Sequence, residues 1–233
     1  GEALGYPEEK ITVGTAQTLS EQTFHKLSVA LIEWAGEIVV TQGLPDETFR
    51  RGSHENGTPV PMTKREIRAA ALAHLELTAD AVCWDIGAGT GSVSVELALA
   101  APRGHVYAVE CDPEACGLIR QNRETFHACN LTLVKGRAPA ALADLPAPDA
   151  VFIGGTKGGM EAVVDTVLAR NPNARICISA IALETLSAAV AALTAHGLAA
   201  EVTQIAVSRT RPAGRLHLLM ANNPVFLITG ERK

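Results

Sequence analysis

The sequence predicts an α/β fold, a mostly parallel twisted sheet with helices on both faces and an antiparallel hairpin at its C-terminal end. Three observations carry this. From Ala81 to Gly197 short apolar runs alternate with amphipathic stretches of helical length. The composition is 47% hydrophobic but only 4% aromatic, with small and branched aliphatic residues dominant, which suits strands buried on both faces. After Gly197 the rhythm changes to strand-like stretches with no helix between them.

Taken in order, residues 1–42 are too short for a core of their own; ITVGT and KLSVALIEWAG read as strands around a polar turn or short helix. Residues 43–61, rich in glycine and proline, read as a linker or covering loop. A domain over 62–233 follows. Thr63, with Glu66 three residues on, has capping-box spacing ahead of Ile67, Ala70, Ala71 and Leu75, predicting a helix over 63–76. Next come AVCWDIG (strand), SVSVELALA (helix), HVYAVE (strand), PEACGLIRQNRETF (helix) and LTLVKG (strand). APAALADL reads as a short helix, DAVFIGG as a strand, GMEAVVDTVLAR as a helix, ARICISA as a strand, and LETLSAAVAALTAHG as a helix closed by Gly197. Five strands joined by crossover helices imply a doubly wound parallel sheet. EVTQIAVSR and LHLLMANNPVFLITGE then supply the hairpin at one edge.

A chain of 233 residues holds one substantial core with a small appendage. Its net charge of −5 offers no general attraction to phosphate backbones, so a small-molecule partner is expected and nucleic acid is not. The five cysteines are scattered without a CxxC pair, arguing against a disulfide framework or zinc site and for free thiols. No segment has the apolar length of a membrane span and residues 1–10 lack a secretion-signal layout, so a cytoplasmic location is expected. The Gly-Glu start suggests a processed product or a fragment of a longer protein.

The chemistry is expected at Trp84-Asp85-Ile86-Gly87-Ala88-Gly89-Thr90-Gly91-Ser92, a GxGxG motif at a strand-to-helix junction. Gly87 and Gly89 allow a sharp turn and close approach to a ligand, and Gly91 lets the next helix pack close, giving a Rossmann-like site. Glu110 ends the second strand, 19 residues past Gly91, where a carboxylate can accept from two ribose hydroxyls. Asp85 either anchors the loop or meets a ligand ammonium, a cation that a pyrophosphate cofactor lacks. The combination points to S-adenosylmethionine, with Ala88, Thr90, Ser92, Cys111 and Thr63 beside it. Gly136, Arg137 and Ala138 are expected near the adenine, and Gly154 and Gly155 after the fourth strand. A nicotinamide oxidoreductase would call for GxGxxG spacing and a parallel sixth strand, and neither is present.

MTKREIR (62–68), WDIGAGTGSVSVELA (84–98), GRAPAAL (136–142), VFIGGTKGG (151–159) and SAIALET (179–185) together resemble the decarboxylating precorrin methyltransferases of cobalamin biosynthesis. The GxGxG segment is common to class I methyltransferases; the other segments are more particular to this family. The resemblance implies S-adenosylmethionine-dependent methylation of carbon 15 of a precorrin with decarboxylation of its ring-C acetate, and a homotetramer. Some members are the C-terminal half of a fusion, and residues 1–42 resemble the end of the upstream tetrapyrrole methylase half that methylates carbon 5. Arg137 departs from the family pattern, where many relatives have Asp, so only the backbone contact to adenine transfers there. The alternatives are a class I methyltransferase acting on another small molecule, RNA or protein, or a non-catalytic S-adenosylmethionine-binding subunit.

A substrate with many carboxylates calls for cations at the cleft mouth. Lys64, Arg65, Arg68, Lys157, Arg209, Arg211 and Arg215 are available, and of these Lys64, Lys157, Arg209 and Arg211 are the expected substrate contacts. Thr63 and Lys157 are the catalytic candidates. Thr63 also has a sufficient role as a cap, and His217, a conceivable proton carrier, reads more simply as a packed residue. Nothing calls for a metal.

Overall fold

The computed structural model describes residues 1–32 and 41–231. The chain divides into two compact units, Gly1–Val39 and Val40–Lys233. In the first, helix α1 spans Ala16–Ser20 and starts at Thr15, whose hydroxyl accepts the Thr18 N–H at 3.2 Å. ITVGT is therefore not a strand: its threonine caps a helical turn locally, while extended pairing among the described residues is limited to isolated bridges from Glu2 to Lys10 and Ser28. Residues 26–32 of KLSVALIEWAG form no strand either, and 33–36 lie outside the described residues.

The second unit alternates helices and strands. Helix α2 is Arg65–Leu75, followed by β1 (Val82–Ile86), α3 (Ser92–Ala100), β2 (His105–Glu110), α4 (Pro113–Thr125), β3 (Leu131–Lys135) and β4 (Ala150–Ile153). Then come α5 (Met160–Arg170), β5 (Arg175–Ala180), α6 (Leu183–Ala195), β6 (Ala199–Ile205), β7 (Ser208–Ala213), β8 (Leu216–Ala221) and β9 (Val225–Glu231). The main sheet has the order β3-β2-β1-β4-β5-β9-β6, with β9 antiparallel to both neighbours and β1 to β5 parallel. Side-chain alternation feeds two cores. Trp84, Ile86, Val151 and Ile153 pack with α5 and α6, whereas Cys83, Ala150 and Phe152 pack with α2 and α3 on the other face. The expected α/β layout is thus observed, and the parallel strands all deliver their carboxyl ends to one edge.

Four local expectations change. Helix α2 begins at Arg65, and the capping box does not form. Asp46 reaches in to accept the Arg65 N–H at 3.0 Å, while Glu66 turns outward to Arg209. APAALADL yields only a 3-10 turn at Ala140–Leu142. The run LHLLMANNPVFLITGE is broken over residues 222–224, where Pro224 has no N–H to give a ladder. Its second half, β9, inserts inside the sheet and leaves β6 at the edge, while β7 and β8 form a separate two-stranded sheet. His217, on β8, is exposed rather than packed.

Residues 43–61 are no free linker but a packed cover. Leu44 and Phe49 join the core beneath α2. Arg68, fully buried, gives Nε to Glu96 at 2.7 Å and Nη1 to Asp46 at 2.9 Å, and also donates to the carbonyls of Leu44 and Thr63. Its guanidinium lies 4.6 Å from the centre of the Phe49 ring. Glu96 in turn accepts the N–H groups of Gly43 and Leu44, so the segment is stitched down by a satisfied charge network.

Candidate functional site

At the carboxyl edge of the sheet lies a cleft of about 170 Å³, lined among others by Pro61, Gly87, Gly89, Glu110, Arg137 and Lys157. The glycines are there for close approach. Gly87 and Gly89 have φ of +71° and +55°, and a Cβ on them would come within 2.4 Å of the Gly155 carbonyl oxygen and 2.5 Å of the Pro61 carbonyl oxygen. The glycine loop is thus clamped between the segment before α2 and the loop after β4.

Glu110, 8% exposed, ends β2 on the cleft wall. Its carboxylate accepts N–H groups from Gly89 at 2.9 Å, Cys111 at 2.7 Å and Asp112 at 2.9 Å. Three amides therefore orient it, and about one lone-pair site remains for an incoming hydroxyl. Beneath the loop Asp85 is wholly buried; Oδ2 accepts from the Ser94 hydroxyl, and Oδ1, like Thr90 Oγ1, has no hydrogen-bond partner among the described residues. Burial pushes the Asp85 carboxyl up to about 7, against the pull of Ser94 and aided by the charge on Glu110. Among the described residues, neither acid forms an ion pair with a Lys, Arg or His. Glu110 is thus presented to the cleft, with Arg137 and Lys157 on the same wall, while Asp85 lies buried behind it.

On the rim, Arg137 donates from Nη2 to the Lys157 carbonyl at 2.9 Å, and the Lys157 ammonium lies 3.6 Å from the Cys111 sulfur. Of the residues singled out in the sequence, Gly87, Gly89, Glu110, Cys111, Gly136, Arg137, Ala138, Gly154, Gly155 and Lys157 are brought together on the wall. Asp85, Ala88, Thr90, Gly91 and Ser92 support it from behind. Thr63 is not on the wall; its carbonyl takes Arg68 and Ser92 instead. Lys64, Arg209 and Arg211 lie off the wall as well. Arg209 is engaged with Glu66 at 2.7 Å and Asp46 at 3.4 Å, which raises its own pKa and, although burial opposes it, holds Glu66 below the usual carboxylate range. Arg209 and Arg211 belong to strand β7 rather than to a loop beside the site. Pro61, Asp112 and Thr156 also stand on the wall, and the sequence motifs did not single them out. Asp112 carries a usable signal, since it caps α4 two residues after Glu110.

A carboxylate oriented at a strand end beside a tight glycine turn fits the ribose of a nucleoside ligand. Comparison with known proteins agrees. A family described as the precorrin methyltransferase domain matches residues 55–232. A probable cobalt-precorrin-6B C(15)-methyltransferase (decarboxylating) of Pyrobaculum calidifontis is 45% identical over 193 residues, 81% of this chain and 95% of that protein. A precorrin-6Y C5,15-methyltransferase structure from Geobacter metallireducens is 39% identical with a TM-score of 0.76, covering 84% of this chain and 98% of that one. The C-terminal domain of precorrin-6Y C5,15-methyltransferase from Rhodobacter capsulatus is 34% identical with a TM-score of 0.69, covering 83% of this chain and all (100%) of that one.

Proposed function

This chain belongs to the precorrin methyltransferase family, and from that premise we propose that it methylates carbon 15 of a precorrin and decarboxylates the ring-C acetate, with S-adenosylmethionine as methyl donor. The observation that carries the reading is the cleft wall, where Glu110, a buried carboxylate aimed by three amides, ends β2 beside the turn at Gly87 and Gly89. Such a wall suits the ribose of a nucleoside cofactor, and its negative charge disfavours an anionic group at that position. When bound, the cofactor supplies a methyl group activated by its sulfonium.

The chain's own residues bind, orient and exclude water. Glu110 holds a ribose hydroxyl with a carboxylate already aimed by three amides. The turn at Gly87 and Gly89 is held tight between the carbonyls of Gly155 and Pro61, which keeps the loop backbone on the cleft wall. Gly136, Arg137 and Ala138 border the adenine end. Lys157 is the residue we assign to a substrate carboxylate and, of the two catalytic candidates, the one that lines the cleft. Thr63 contributes through its backbone position only.

The test is turnover. Given S-adenosylmethionine and a precorrin retaining its ring-C acetate, the chain should add one methyl group and release carbon dioxide, as read by mass spectrometry. Methyl gain without carboxyl loss would detach decarboxylation from this chain. Cofactor binding without turnover on any precorrin would favour a different substrate or a non-catalytic subunit, and NAD binding at comparable affinity would overturn the cofactor reading.

Residues 1–42 we read as the end of an upstream tetrapyrrole methylase domain, so carbon 5 methylation should be missing. A homotetramer is proposed on the β7–β8 sheet, where Leu216 and Leu219 are 67% and 73% exposed, more apolar surface than a free edge tolerates. Sedimentation as a stable monomer at micromolar concentration would refute it. Among the described residues no helix is long and apolar enough to cross a membrane, and we place the enzyme in the cytoplasm.

A further inference from the structure

The loop after β4, Gly154-Gly155-Thr156-Lys157-Gly158-Gly159, has four glycines in six residues and little intrinsic reason to hold one shape. Lys157 nevertheless adopts a left-handed conformation, φ +51°, which a residue with a long side chain occupies only when its surroundings impose it. Two contacts to the residue do so. The Arg137 guanidinium, from the end of β3, donates to its carbonyl at 2.9 Å, and its ammonium reaches Cys111 at the end of β2. All three residues line the cleft. The loop from β4 is thereby drawn across the mouth and tied to the far strands, on the side where Glu110 would hold a ribose.

We infer that Arg137 is a positioning residue for the cofactor: by tying the Lys157 carbonyl it holds the glycine-rich loop over the cleft and sets how long cofactor and demethylated product stay bound. The inference rests on the S-adenosylmethionine reading above. A charged donor on a backbone carbonyl acts here without reading the adenine, which gives a role to an arginine where the resemblance suggested an aspartate. Since the guanidinium is exposed, its loss opens the loop without disturbing the core.

Two measurements on the full chain test this, with Arg137→Ala and Arg137→Lys beside the unchanged protein. The first is amide exchange of residues 155–159 in the cofactor-free protein, and the second is the dissociation rate of S-adenosylhomocysteine, with melting temperature as a check on folding. In Arg137→Ala the loop amides should exchange faster and product release should accelerate about tenfold, the equivalent of ~1.4 kcal/mol. The KM for S-adenosylmethionine should rise in step while kcat stays within about twofold. Arg137→Lys, which keeps one charged donor, should recover most of the difference. Unchanged loop exchange or release in Arg137→Ala, or Arg137→Lys as fast as Arg137→Ala, would overturn the inference. Failure of the unchanged chain to bind S-adenosylhomocysteine would sink the cofactor reading and this inference with it.

Discussion

Two pairs of buried acids in the second unit are answered differently. Beneath the covering segment, Asp46 and Glu96, each 3% exposed, are answered by Arg68, with Arg209 reaching Asp46 from β7. Beneath and beside the cleft, Asp85 and Glu110 meet only a hydroxyl and backbone amides. The first pair is balanced within the chain and serves to hold structure. The second has no guanidinium between its members: Glu110 is offered to the cleft wall, and Asp85, its carboxyl pushed up to about 7 by burial, holds a proton below that pH.

The largest effect is expected on the balanced side. Arg68→Ala removes a cation between two buried acids and should cost about 3–5 kcal/mol in urea unfolding; a loss under about 1 kcal/mol would show that the acids find other partners and blur the contrast. On the open side, Glu110→Ala should cost about 1.5–3 kcal/mol in S-adenosylmethionine affinity by calorimetry, since a ribose hydroxyl loses a charged acceptor. Unchanged affinity would remove Glu110 from the site.

Asp85 gives a pH signature of modest size. Its folded pKa, pushed up to about 7, exceeds the ordinary 3.8, so between those values the folded state keeps a proton that the unfolded state has lost. This group's contribution therefore makes stability decline as pH rises through that window and level off above it, with a slope of at most roughly 1.4 kcal/mol for each pH unit crossed. Asp85→Asn, which stays neutral, should lack the decline and gain on the unchanged protein from pH 5 to pH 8. Parallel stability curves for the two would show that Asp85 has found a partner. The smallest change is expected for Arg209→Ala: its ion pair with Glu66 is about 40% exposed on both sides, so the loss should be about 0.2–1 kcal/mol.

The same contrast explains what the sequence allowed. The β-α alternation is legible because buried parallel strands are nearly continuous apolar runs; SVSVELALA and HVYAVE become α3 and β2 with the expected bounds. Gly87, Gly89 and Glu110 are legible because backbone geometry and strand ends dictate their types. Partner choice is not. Glu66 looks like half of a capping box and pairs with Arg209, and Arg209 looks like a substrate cation and pairs with Glu66 and Asp46, residues 143 and 163 positions away. Nor does strand order follow from local pattern: a hairpin puts β9 at an edge, whereas β9 stands between β5 and β6.

That placement of β9 has a consequence for synthesis. Strand β6 pairs with β9 in the main sheet, yet Val225 comes 20 positions after Ile205, the last residue of β6. While the chain is being made, β5 and β6 each present an open ladder that no residue yet translated can close. The sheet is locked only as residues 225–231 leave the ribosome, so a product cut short before Val225 would carry a nearly complete cofactor cradle on two sticky edges. A chain without β9 thus exposes two unpaired ladders, and the pairing of β9 is the event that hides them.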